Sequence, residues 1–519
     1  MQDKRKNNPH RKAVGIVFYK KRNPFFEKKS IEQNVQNFFT INFAEPAKEV
    51  KSSDNVDCCL CYNYKIENNR LTTPNGFSLA TFPISTTSTQ TREVSLPNGE
   101  IKKIWFYPYY EFDAQRRVDK IVFYTADNKL YSFPLFSNLT SVVEFLEEEY
   151  NISLTSLPIG LHYRVENEDY MLFSSENGLV AVSSRLAPAV FESCPNVISM
   201  VKIYGYLWAI KEGDRNKIIF SKENDPTNWT NESGSLNEID LSDCDKLMRL
   251  INFDDYLYVF REYGITKISQ YGAGEEISVN HIIDSGSKIY PETICVCQNE
   301  ILYFAEDGLY SFNGTTNKKL SIGFEAMLKN IKNSFSCACY KNGVYYLACK
   351  LDFDDDKKVG VEEGIYVNNA LISIDPKNQG YTITRGIDIC SLTSVQTENF
   401  NEILACFNSK HQTKIGILNC CGKDFDNDLV GYYKTKSTGV NHPLQDKILK
   451  EIQVLSQHDC KMKITSDRAS KTVLIKGNKQ HQRVKIDLSG KHFKFEISSV
   501  GQAEIAPIKI IYEKLKNTD

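Results

Sequence analysis

Histidines, thiols and clustered carboxylates are the side chains that carry metal and acid–base chemistry, and this chain scatters them. None of its eight histidines (His10, His162, His281, His411, His442, His458, His481, His492) has another at the i, i+4 spacing that sets two imidazoles on one helix face. The 15 cysteines include two vicinal pairs, Cys58-Cys59 and Cys420-Cys421, and Cys-x-Cys pairs such as Cys295/Cys297 and Cys337/Cys339. Cys-x-Cys in a strand places both thiols on one face, but no Cys-x-x-Cys pairs are read that would form a zinc cage. Buried free cysteine behaves as a small hydrophobe, so the expectation is reduced structural thiols in a reducing compartment. Asp254-Asp255 are adjacent carboxylates, which point opposite ways in a strand–turn context and are unsuited to joint acid–base work. The carboxylates of Asp352–Glu363 lack the spacing of an EF-hand loop and read as a solvated hairpin tip. Nucleophile-elbow, P-loop and dinucleotide-binding motifs are absent from the sequence. The chain is therefore read as not an enzyme, with no catalytic, cofactor-binding or metal residue to name.

The composition is that of a strand-rich globular protein. Of 519 residues, 41% are hydrophobic, and Tyr (28) and Phe (29) far outnumber Met (6). The formal charge of −2 hides an uneven distribution. Residues 1–30 carry 10 Lys/Arg against 2 Asp/Glu, and residues 431–519 carry 17 against 9, which leaves −18 for residues 31–430. The first 30 residues read as a basic arm that orders only against a partner; a solvated tail explains them with fewer assumptions than nucleic-acid contact. The apolar runs are strand-length, well short of a membrane-spanning helix. The short apolar run Ala13–Tyr19, with further Lys and Arg beyond it, does not make a secretory signal. Synthesis and folding in the cytoplasm are expected.

The elements that would position any site are hairpins. Lys120–Tyr124 leads through Ala126–Lys129 to Leu130–Phe133, and Asp169–Phe173 through Ser175–Gly178 to Leu179–Val182. Tyr256–Phe260 leads to Thr266–Ser269, and Ile301–Phe304 through Ala305–Gly308 to Leu309–Phe312. Val344–Ala348 and Ile403–Cys406 open two more copies. Each is a strand, an Asp/Asn/Gly turn and a strand, recurring at roughly 40–60 residues, the period of propeller blades. Alternation with period two excludes helical repeats, and ring closure removes exposed sheet edges. Residues 55–428 are thus predicted to be a β-propeller of about seven blades, after a basic N-terminal arm and lead-in at 1–54. Helical spacing predicts short helices at Ser141–Tyr150 and Phe324–Ile331. After residue 430 longer alternating strands (448–455, 460–465, 483–488, 493–497, 506–512) predict a small C-terminal β-sandwich over 429–519.

Ser221-Lys222-Glu223-Asn224-Asp225-Pro226-Thr227-Asn228-Trp229 resembles in part the Asp-box of sialidases, but it lacks the glycine and occurs once. It more closely resembles a run in phage tail β-propeller proteins, where an Ile-Asp segment, a Tyr-Val-Phe strand and a Gly-Ile hairpin follow. Here those are Asn237–Asp240, Leu257–Phe260 and Gly264-Ile265. Asn63–Ile66 with Leu71 and Gly76-Phe77, and Ala370–Asp375, are similar to further elements of the same group. The basic arm and the cysteine content depart from it. The resemblance implies a non-enzymatic virion protein of the head-to-tail accessory, packaged-DNA stabilisation or tail nozzle type. It implies a homo-oligomeric ring, commonly six-fold, below the portal and adaptor, through which double-stranded DNA passes without sequence-specific binding. The alternatives are a non-viral propeller scaffold for protein interactions and, less simply, a glycosidase- or sialidase-type enzyme.

Overall fold

A computed structural model describes residues 31–35 and 58–515, apart from 69, 145–151, 156, 166–167, 184–187, 242, 271–276, 321–322, 330, 354–366, 378–379, 410–411, 441 and 479. The basic arm at 1–30 and most of the Asp352–Glu363 loop lie outside the described residues. The described chain is all-β, and its only helices are two short 3-10 turns, Pro291–Thr293 and Glu325–Leu328.

Six four-stranded antiparallel sheets follow one another, each pairing its strands in chain order. The first holds Ile101–Glu111, Arg116–Thr125, Leu130–Pro134 and Val143–Glu144; the second Gly160–Val165, Glu168–Ser175, Gly178–Val182 and Pro188–Phe191. The third holds Val197–Ile203, Tyr206–Lys211, Lys217–Phe220 and Glu238–Asp240; the fourth Leu247–Phe253, Tyr256–Arg261, Gly264–Gln270 and Ile277–Asp284. The fifth holds Cys295–Cys297, Glu300–Ala305, Gly308–Phe312 and Asn317–Leu320; the sixth Cys337–Lys341, Val344–Cys349, Ala370–Asp375 and Gly380–Arg385. The seventh takes Ile389–Gln396, Asn401–Ser409 and Gln412–Asn419, and its fourth strand, Gly76–Leu79, comes from the other end of the chain. Lys423–Asp424 then runs parallel to Gly76–Leu79.

Local chemistry explains these hairpins. Tyr204-Gly205 (φ 54° and 79°), Asp254-Asp255 (50° and 58°) and Asn342-Gly343 (50° and 86°) hold positive φ at both central positions, as tight hairpins with right-handed twist require. The carboxylate pair Asp254-Asp255 is therefore a turn. Strand residues buried on both faces, such as the wholly buried Gly178–Val182, form seven apolar layers, one in each gap between successive sheets. The layer containing Ile101, Ile121, Phe133, Val395, Phe400 and Leu404 joins the seventh sheet back to the first. The result is a propeller-like arrangement of small sheets.

Two expectations are corrected. Val143–Glu144 is the edge strand of the first sheet rather than part of a helix, because Tyr131 and Ser132 offer it a ladder; 145–150 lie outside the described residues. Phe324–Ile331 makes only the 3-10 turn Glu325–Leu328, whose buried Met327 and Leu328 leave too short an apolar face for an α-helix.

Most of the remaining strands build a four-, a five- and a three-stranded sheet around one core that includes Leu449, Ile452, Met462, Phe495, Ile497 and Ile510, and Phe82–Pro83 pairs with Thr91–Arg92. Their strands are not confined to 429–519. Ile31–Val35 pairs with Lys509–Lys514, and Cys58–Tyr62 pairs with Val430–Thr435. The hairpin Lys65–Glu67/Arg70–Thr72 adds to Glu504–Ile505. Asn63 joins this body to the sixth sheet: fully buried at φ 54°, it donates through Nδ2 to the Arg385 and Val430 carbonyls (3.2 and 3.0 Å) and accepts from the Arg385 N–H (2.7 Å).

Candidate functional site

The first strand of each of the seven sheets lines one shared cavity, and four of these strands carry an irregularity at the same place. Their registers shift between Ile101 and Lys103, Val197 and Ser199, Leu247 and Arg249, and Ile389 and Ser391. An extra residue bends a strand and re-aims its side chains. Ser199 Oγ accepts the N–H of Leu250 (2.9 Å) and Ser391 Oγ accepts that of Ile104 (3.3 Å). The same device thus stitches the third sheet to the fourth and the seventh to the first. It also leaves Lys103 and Arg249 lining a central cavity of about 620 Å³.

Both cations converge on Glu292, which the 3-10 turn before the fifth sheet presents to the cavity. Lys103 Nζ pairs with Glu292 Oε2, and Arg249 Nη1 lies 3.6 Å from Oε1 while donating to the Pro291 carbonyl (2.9 Å). The side chains of Lys103, Glu292 and Arg249 are 17%, 24% and 32% exposed. Arg215 and Glu212 also line the cavity, so its charged lining has three cations to two carboxylates. Burial, with the Arg249 charge adding, pushes the Lys103 ammonium down to about 8. Cys295 and Cys337 are pushed up to about 12 by burial and remain thiols at neutral pH. Glu292 thus meets the charge of Lys103 and Arg249, and the Cys337 thiol on the cavity wall is not a nucleophile.

The depressed Lys103 value has a stability consequence. The unfolded chain binds the proton that the folded chain has released between pH 8 and 10.5, so this group's contribution to stability rises with pH across that window. Relative to Lys103→Met, wild type gains stability between pH 7.5 and 10.5, by less than burial alone would give because the Glu292 carboxylate favours the charged ammonium. Paired urea denaturations at the two pH values measure it. A pH-independent difference would mean that Lys103 titrates normally.

All 15 cysteines are free thiols. The one Cys-x-x-Cys spacing, Cys58 to Cys61, was missed in the sequence; it lies in a single strand, both thiols in the core of the C-terminal sheets. His162 bonds Asp169 (2.5 Å), which Arg164 and the Tyr110 N–H (3.0 Å) also hold. Burial pushes the Asp169 carboxyl up, but these hydrogen bonds outweigh it and keep it below the usual carboxylate range. Ser221–Trp229 folds the turn between the third and fourth strands of the third sheet. Trp229 is fully buried there, its Nε1 donating to the Pro226 carbonyl (2.8 Å), and Asp225 Oδ1 accepts from the Thr227 N–H (3.0 Å) and hydroxyl (2.6 Å). The Lys103–Glu292–Arg249 cluster was also missed, since those residues are far apart in the chain and only the strand irregularities hinted at in Lys102-Lys103-Ile104 and Met248-Arg249-Leu250 mark them.

No protein-family model matches this chain, and no curated protein matches it. Among solved structures it is similar to the extracellular domain of a putative one-component system from B. thetaiotaomicron, at 9% identity and a TM-score of 0.42. It is also similar to the extracellular domain of a putative hybrid two-component system from that organism, at 9% identity and a TM-score of 0.44. Both alignments cover 88% of this chain, but only 63% and 64% of those chains, so it spans less than two thirds of their length. Among the described residues, no helix is long and apolar enough to cross a membrane.

Proposed function

We propose that this chain is a seven-bladed β-propeller with a C-terminal β-sandwich, and that it is a structural protein of a bacteriophage tail or neck. In this reading it has no catalytic activity. Copies form a ring, six-fold in symmetry, around the DNA channel below the portal and adaptor, and help retain and conduct the genome. The observation that supports the reading is Ser221–Trp229, a run that resembles one in phage tail propellers, serving as the turn between two strands of the third sheet. A cavity of about 620 Å³ crossed by the Lys103–Glu292–Arg249 bridge has no room for a duplex, so the channel lies between copies. The excess of −18 over residues 31–430 belongs on that channel wall, because Lys/Arg neutralisation of phosphates would hold DNA in place rather than let it slide. The basic ends then serve contacts with neighbouring subunits or with acidic adaptor and portal surfaces.

Immunogold electron microscopy of purified particles with antibodies to the full chain tests this. Label concentrated at the tail or neck is expected; particles without label, or label over the capsid shell, would overturn it. One observation favours a second reading, a non-viral interaction scaffold: the surplus cation of the central cavity suits an acidic ligand or peptide terminus. Absence of the chain from particles together with saturable binding of such a ligand would select it.

A further inference from the structure

A second cluster sits on the outer side of the fourth sheet, away from the central cavity. Asp243 and Cys244 lie in the connection leading into Leu247–Phe253, and His281 lies on the edge strand Ile277–Asp284. One ligand atom from each falls within 4.8 Å of the others. Cys244 Sγ is 3.6 Å from His281 Nε2 and 3.6 Å from Asp243 Oδ1, and His281 Nε2 is 3.5 Å from Asp243 Oδ2. A tetrahedral ion bound at about 2.3 Å to sulfur and about 2.0–2.1 Å to nitrogen or oxygen has ligand–ligand edges of about 3.3–3.6 Å. Sγ and Nε2 stand at that spacing, and each has one of the two Asp243 carboxylate oxygens at that spacing too, so a small rotation of the carboxylate completes one tetrahedral face.

The surroundings suit such an ion. Thr266 is directly opposite His281 in the strand register, and its fully buried hydroxyl is 2.9 Å from Nδ1. That bond occupies Nδ1 and leaves Nε2 for the metal, the role outer-shell partners play at histidine ligands. Sγ is also 3.5 Å from Nδ1, so binding requires the imidazole to turn its Nε2 lone pair towards the thiol. Thr266 is the pivot of that turn. Burial and the Asp243 and Asp245 carboxylates raise the Cys244 thiol, and the Arg261 guanidinium offsets this only in part, so the free site holds a thiol. Arg261 is itself held by Asp245 Oδ1 (2.6 Å) and Asp284 Oδ1 (2.8 Å), so the cation beside the thiol is fixed.

We propose that Asp243, Cys244 and His281 bind one divalent transition-metal ion of the zinc type, with sulfur, nitrogen and oxygen ligands and a fourth position open to solvent. The ion would clip the connection between the third and fourth sheets onto the exposed edge strand of the fourth, releasing the Cys244 proton to solvent as the thiolate coordinates.

The test is titration of the reduced full-length protein with Co²⁺, followed by displacement with Zn²⁺. Wild type should take up about one Co²⁺ per chain, with visible bands of four-coordinate cobalt and a near-ultraviolet thiolate-to-cobalt band that zinc abolishes. Cys244→Ser should lose the charge-transfer band, and His281→Ala should weaken binding by at least tenfold. Cys420→Ser, at an exposed thiol elsewhere, should leave the spectrum unchanged. Thermal melts without metal identify a misfolded variant, in which case Asp243→Ala, at an exposed position, provides the binding comparison. Wild-type spectra that show no thiolate band, or that survive both Cys244→Ser and His281→Ala, would overturn the proposal.

Discussion

Gly76→Val prevents the seventh sheet from acquiring its fourth strand. A Cβ at Gly76 would lie 2.1 Å from the Lys423 carbonyl oxygen and 2.8 Å from the Lys423 nitrogen, both backbone atoms that cannot swing away. The strand it opens carries Phe77, fully buried and packed edge-on against Phe407 (ring centroids 4.8 Å apart). This strand hydrogen-bonds the start of the chain to the last sheet, so displacing it weakens the seam that the layer around Ile101, Val395 and Phe400 also holds. The expected cost is about 3–5 kcal/mol, the scale of losing a large buried aromatic. Gly76→Val should lower the urea midpoint accordingly and expose the linker around Gly76 to limited proteolysis, whereas Leu79→Thr, at an exposed position on the same strand, should do neither. An unchanged midpoint for Gly76→Val would mean that the wheel holds together without this strand.

Trp229→Ala is the second large effect. Trp229 belongs to the layer between the second and third sheets, with Leu172, Leu179, Leu207 and Ile219. Its loss removes that packing and leaves the Pro226 carbonyl without the indole donor, at about 3–5 kcal/mol. Asp225→Ala removes only the hydrogen bonds that tie the turn to Thr227, and should cost about 0.5–1.5 kcal/mol. That ordering distinguishes a packing anchor from a ligand site: if the signature bound a sugar or a metal, Asp225→Ala would abolish binding with little loss of stability.

What the sequence disclosed follows from the range of the interactions. Hairpins such as Tyr256–Gln270 and Glu300–Phe312 were legible because alternation and turn residues are local. The third sheet was read less fully. Its second and third strands are separated by the charged turn Glu212–Asn216, and a long loop through Trp229 delays its fourth, so no compact copy of the repeat shows. The destination of Gly76–Leu79, and of Cys58–Tyr62 before it, was not legible because strands paired across more than 300 residues leave no spacing to count. The helix expected at Ser141–Tyr150 failed at Val143–Glu144 because a free sheet edge outcompeted local periodicity. Lys103, Arg249 and Glu292 meet only because three different sheets converge on one axis, and Cys244 meets His281 only through the register that sets Thr266 opposite it. Sequence patterns thus predicted the repeating unit, while both candidate sites arise from contacts between units.

The central claim is that these wheels are subunits of a ring, and mass measurement of the purified full-length chain by mass photometry across a concentration series tests it most directly. The account predicts a dominant closed species near six times the 59.3 kDa chain mass that persists on dilution. A single 59.3 kDa species at every concentration would contradict it.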